Sequence, residues 1–172
     1  MIAAPLHPIF THFTIALTAA SLAFDVAARV FGLPTLAAAG WWTLAGAVPV
    51  TVGTLATGVT SRVHLPMEEG EARRWLRAHM ALGPAFFGAL IAMAVWRASL
   101  WADGAVIPWS YALIMAAVVL VMTVQGYLGG ELVYRFGAEV RGGYPRLPSA
   151  RGTVDAPPEL RPSAGRPAAR RG

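Results

Sequence analysis

Cysteine and lysine are both missing from this 172-residue chain. Without cysteine there is no disulfide, no thiolate-held iron–sulfur cluster and no thiol nucleophile, and no covalently attached c-type haem, which needs C-x-x-C-H. Charge of either sign is scarce: 13% of residues are charged and 56% are apolar, whereas soluble domains carry about a quarter charged residues. A soluble domain is thereby excluded. The formal charge of +5 comes largely from arginines in the C-terminal segment, so it says little about a folded core.

What the chain has instead is four apolar stretches, roughly 9–31, 36–60, 78–101 and 108–131. Each exceeds the ~20 residues needed to cross ~30 Å of hydrocarbon. A backbone in lipid must satisfy its own hydrogen bonds, so each stretch is expected to be a helix. The expected fold class is all-α, a four-transmembrane-helix bundle over 1–137 followed by a disordered basic tail over 138–172. The tail mixes Pro, Gly, Ala, Ser and Arg, with too few apolar groups to offset the entropy of ordering it. Its arginines would be drawn to anionic lipid, at about 1 kcal/mol each near the surface. No aromatic residues interleave with them, so no nucleic-acid partner is expected.

Arginine sets the expected orientation. Arg62, Arg73, Arg74 and Arg77 in the central loop, with eight more from Arg135 to Arg171, oppose only Arg29 and Arg97. The positive-inside rule then makes both termini cytoplasmic. Trp41, Trp42, Trp96, Trp101 and Trp109 fall at the opposite interface, where amphipathic rings settle. The expected location is a bacterial inner (plasma) membrane, with lipid as one partner. The first span is not expected to be a cleaved signal: no Lys or Arg precedes it, it is too long, and Asp25 sits in its distal part.

Within the first span, helical steps from His12 reach Ala16, Ala19, Ala20 and Ala23, a small-residue face suited to close packing or to a flat cofactor. The same steps from His79 reach Gly83, Phe86, Phe87 and Leu90. Thr51, Thr54, Thr57 and Thr60 are expected to bond back to carbonyls of their own helix. Residues Met67 to His79 suggest a short amphipathic helix leading into span three, with Glu68, Glu69 and Glu71 opposite Arg73, Arg74 and Arg77.

The residues able to do chemistry gather at one membrane face. His7, His12 and His79 are the candidate cofactor-binding residues, because imidazole is the common axial ligand of b-type haem and ligates Zn, Cu and Fe. His12 and His79 sit at matching depths in spans one and three, as bis-histidine ligation in a bundle requires. A metal ion would need a fuller shell, His7, His12, His79 and Glu131. His64 reads as an ordinary loop residue. His7 and His12 are about 140° apart on an ideal helix and share a face only if His7 lies beyond the helix start. In span four, Glu131 precedes Arg135 by one turn, a favourable ion-pair order, and three glycines before it promise close backbone approach. Glu131, Tyr134 and Arg135 are therefore the expected supporting residues. Asp25 is too far along the first span to join them and is expected to pair with Arg29. Gln125 should bond another helix.

The motifs His7-Pro8-Ile9-x-x-His12-Phe13, Thr57-Gly58, His79, and Leu128-Gly129-Gly130-x-Leu132-Val133-Tyr134-x-x-Gly137 together resemble the bacterial membrane family catalogued as domain of unknown function 2231. The resemblance covers roughly 5–140. It implies a four-helix membrane protein and no established activity. Where many relatives carry histidine just before the final glycine, this chain has Phe136. The expected function is binding of one haem b or one transition metal ion near the cytoplasmic face for electron transfer with a redox partner. The alternative is a non-enzymatic accessory or structural subunit that docks a larger membrane complex. No nucleophile–base constellation marks a hydrolase, and the chain sets no oligomeric state.

Overall fold

The computed structural model describes residues 6–63 and 70–138. His64, Met67, Glu68, Glu69 and the basic tail lie outside the described residues. The described part is all-helical: α1 (Leu6–Phe31), α2 (Pro34–Val63), α3 (Glu71–Ala102) and α4 (Trp109–Tyr134). Each is long and apolar enough to cross a membrane. The chain is a multi-pass membrane protein built as a four-helix bundle.

Glycine and proline place the helix ends. Gly32 adopts φ 67 and its N–H bonds the Ala28 carbonyl at 2.9 Å, which stops α1. Pro34 then opens α2, where its missing N–H is no loss. A connection this short forces α1 and α2 antiparallel. After α3, Gly104 at φ 62 lets the Ala105 N–H reach the Leu100 carbonyl at 2.9 Å, a left-handed glycine cap. Gly137 at φ 69 ends the last helix and folds the chain back, so that Ala138 is buried near Leu132.

Span three starts earlier than its apolar run. Residues 71–77 continue the same helix rather than forming a separate amphipathic segment. Trp75 holds them down, with its Nε1 on Glu71 at 3.4 Å and its ring edge-on to Tyr127.

The bundle thus has a histidine end, carrying His7, His12 and His79, and a tryptophan end. At the latter Trp41 stacks on Trp101, and the Arg29 guanidinium lies over Trp109. Trp96 instead turns inward onto Tyr111. Leu44 and Ala47 of α2, Phe86, Leu90 and Met93 of α3, and Tyr111, Met115 and Met122 of α4 form the core between the ends.

The small face of α1 is turned the other way from expectation. Ala16, Ala19 and Ala23 are exposed, while Thr14, Thr18, Ser21, Asp25 and Ala28 are buried. In lipid an alanine loses nothing by facing outward, whereas a hydroxyl or carboxylate gains partners only inside the bundle. Gly83, Phe86 and Leu90 of α3 do face the core, and Thr51, Thr54 and Thr57 bond back to their own helix as expected.

Two expected ion pairs are replaced by others. Asp25 pairs with Arg97 of α3 and not with Arg29. Arg97 Nε donates to both carboxylate oxygens, at 3.3 and 3.1 Å, and Nη2 donates to Oδ1 at 3.1 Å and to the Ala37 carbonyl at 2.7 Å. Arg135 pairs with Glu71 at 3.0 Å and not with Glu131. Both partners of that second pair are about half exposed. Arg135→Ala is accordingly expected to change stability by under about 1 kcal/mol, read as the thermal midpoint in mild detergent.

Candidate functional site

A cavity of about 470 Å³ opens at the histidine end, within the range of about 300–1,000 Å³ typical of small-molecule sites. All four helices line it, mostly with apolar side chains. His7, His12, His79 and Tyr134 are among its lining residues, and Glu131 and Arg135 are not.

Each imidazole is held by a main-chain carbonyl. His7 lies inside α1 and not beyond its start, yet it lines the cavity together with His12, and it donates from Nδ1 to the Thr54 carbonyl of α2 at 3.0 Å. Its ring lies against Gly58, where any Cβ would come within 3.0 Å of Cε1. His79 donates from Nδ1 to the Gln125 carbonyl of α4 at 3.2 Å, and Gly129 gives its ring room in the same way. His12 donates from Nδ1 to the Pro8 carbonyl one turn back, at 2.6 Å, on the exposed side of α1. A carbonyl oxygen can only accept, so in the neutral ring the proton sits on Nδ1 and the Nε2 lone pair is available. The same fixed tautomer orients metal-ligating histidines, whose second nitrogen is bonded to a carbonyl or carboxylate.

His7 of α1 and His79 of α3 both line the cavity. The carboxamide of Gln125, bonding another helix as expected, reaches His79 Nε2 at 3.4 Å. Three hydroxyls close the floor: Thr14 bonds Thr54 at 2.8 Å, and Thr51 reaches Thr14 at 3.4 Å. Pro84, also in the lining, leaves the Met80 carbonyl without its helical donor. Among the described residues no three His, Asp or Glu side chains are grouped so as to hold one metal ion.

The four motifs that carry the family resemblance therefore meet at one place: the two histidines of α1, Thr57-Gly58 of α2, His79 of α3 and the glycines of α4. The family described as predicted membrane protein DUF2231 matches residues 3–142. The chain belongs to the DUF2231 family. Comparison with curated proteins and with solved structures finds no match. For this DUF2231 chain the histidines were legible as candidates from residue type and depth. The glycine seats were legible only as close-approach positions. Thr14 and Thr54 were not expected at the site, and join it because α1 turns its polar face inward.

Proposed function

We propose that this membrane protein holds one b-type haem in the histidine-lined cavity and exchanges electrons with a redox partner at that end of the bundle. The observation that carries the reading is the shared state of three imidazoles on one cavity, each with Nδ1 on a main-chain carbonyl so that Nε2 is the nitrogen able to bind, that of His79 facing the Gln125 carboxamide. His79 and His12 would hold the group, with His7 as the alternative to His12. Gln125 would have to yield its long contact with His79 Nε2. A haem there would supply one-electron chemistry, tuned by the apolar walls and by the carbonyls behind the rings. The same end of the bundle is proposed as the cytoplasmic one, on the arginine distribution. A single metal ion fits this set less well, because a closed shell needs four donors and Glu131 lies outside the cavity lining.

The test is spectroscopic. Protein purified in mild detergent, after haem supply during expression, is expected to show a reduced-minus-oxidised b-type spectrum. His79→Ala should abolish it, and comparison of His12→Ala with His7→Ala identifies the second ligand. Full haem retention in both His12→Ala and His79→Ala overturns the assignment. A colourless, metal-free wild-type protein overturns the cofactor altogether and favours the accessory-subunit reading.

A further inference from the structure

The buried face of α1 is a line of polar groups running away from the cavity. Thr14, Thr18, Ser21 and Asp25 follow one another at steps of four, three and four, and all four are buried. Neighbours at these steps are about 5–6 Å apart between Cβ atoms. One water making two hydrogen bonds of about 2.8 Å spans such a gap.

Two hydroxyls in this region are conspicuous for what they lack. Thr18 Oγ1 and the Tyr111 hydroxyl are fully buried and have no hydrogen-bond partner among the described residues. Tyr111 packs edge-on against Trp96, the residue before Arg97, with ring centroids 5.4 Å apart. Buried hydroxyls are almost always bonded, either to protein or to ordered water, and a water so placed needs two to four polar partners. The line offers them.

Both ends of the line connect onward. At the histidine end Thr14 lines the cavity and shares its hydroxyl with Thr54. At the tryptophan end Asp25 is locked to Arg97, whose Nη2 reaches the Ala37 carbonyl in the first turn of α2. His7 and Asp25 are eighteen residues apart on one helix, about 27 Å of the ~30 Å hydrocarbon. The cavity and the polar line together therefore nearly cross the membrane.

We propose that this line holds internal waters and conducts protons between the histidine-lined cavity and the tryptophan end through Asp25. A proton arriving at the cavity is taken by a threonine hydroxyl or water lone pair, which releases its own proton to the next, and water carries it past Ser21, whose hydroxyl donates to the Gly40 carbonyl at 2.9 Å. The Asp25 carboxylate accepts the last of these and gives it to water at the tryptophan end, which carries it away as hydronium. Arg97 stays protonated throughout, and its fixed charge returns Asp25 to the carboxylate. One proton enters, one leaves, and no electron moves. The proposal does not depend on the haem reading, because none of these groups is an axial ligand.

The experiment uses the purified full chain in phospholipid vesicles loaded with pyranine, with a potassium gradient and valinomycin setting the potential. The wild type should change internal pH faster than protein-free vesicles. Thr18→Val keeps the side-chain volume and removes only the unpartnered hydroxyl, and Tyr111→Phe does the same in α4. Each is expected to cut the protein-dependent rate by about tenfold or more, because transfer runs through a connected hydrogen-bond network. Neither should lower the thermal midpoint, since no protein hydrogen bond is lost. Thr18→Ser should retain the rate. A wild type no faster than protein-free vesicles overturns the proposal, and so do Thr18→Val and Tyr111→Phe variants that conduct like the wild type.

Discussion

Asp25→Ala is expected to destabilise the bundle by about 3–5 kcal/mol, the usual cost of breaking a buried ion pair from one side. Asp25 and Arg97 are buried, and Arg97 places three hydrogen bonds on the carboxylate. Without Asp25 the guanidinium keeps one described acceptor, the Ala37 carbonyl. It then carries a full charge inside an apolar bundle. Polar contacts between membrane helices average only about 0.6 kcal/mol in double-mutant cycles, so the magnitude decides between two accounts. A loss near 0.6 kcal/mol would mean that Arg97 escapes to the nearby interface. A loss of several would mean that it is trapped. The double variant Asp25→Ala with Arg97→Met removes both charges and should recover most of the loss, because replacing a buried pair with apolar groups is often neutral. Reversible unfolding in detergent mixtures, followed by helical circular dichroism, gives all three values.

Most of the architecture was legible because its cause is local. Apolar runs too long for a soluble core fix four helices, while the ends at Gly32, Pro34 and Gly137, where the backbone needs a left-handed residue or can spare an N–H, came from the structure. What was not legible depends on which helix face turns inward. An alanine face and a threonine–serine–aspartate face lie on the same α1, and small residues suggest close packing in general. The bundle instead buries the polar face, since lipid accepts alanine freely and a carboxylate hardly at all.

That one choice explains why Asp25 meets Arg97 rather than Arg29 one turn away. Arg29 lies on the exposed side, over Trp109. Spacing four–three–four at Thr14, Thr18, Ser21 and Asp25 was the signal available. The pairing of Arg135 with Glu71 was hidden for a simpler reason: 64 residues separate them, and only the meeting of α3 and α4 brings them together. The histidine site fell between these cases. Its ligand-type residues stand out by chemistry, and their convergence follows once four antiparallel helices put the N-terminal ends of α1 and α3 at one face.

Gly40→Ala is expected to cost about as much as ordinary overpacking, roughly 1–3 kcal/mol, although alanine is the better helix former. A Cβ at Gly40 would collide with the Asp25 carboxylate, coming within 2.8 Å of Cγ. The carboxylate cannot swing aside without giving up Arg97. Gly40 also accepts the Ser21 hydroxyl on its carbonyl at 2.9 Å, so α1 and α2 are already in close contact there. Gly88 of α3 provides the contrast, because a Cβ there meets nothing within 4 Å. Gly88→Ala should be neutral, or stabilising by up to about 1 kcal/mol from helix propensity alone. The decisive measurement is the cycle between Gly40→Ala and Asp25→Ala. Once Asp25 is truncated, the space it filled becomes free, and Gly40→Ala in that background should cost little. Strong non-additivity would place the effect of Gly40 on the ion pair. Simple additivity would place it on the helix contact itself, and Gly40 would then act through the packing of α1 on α2.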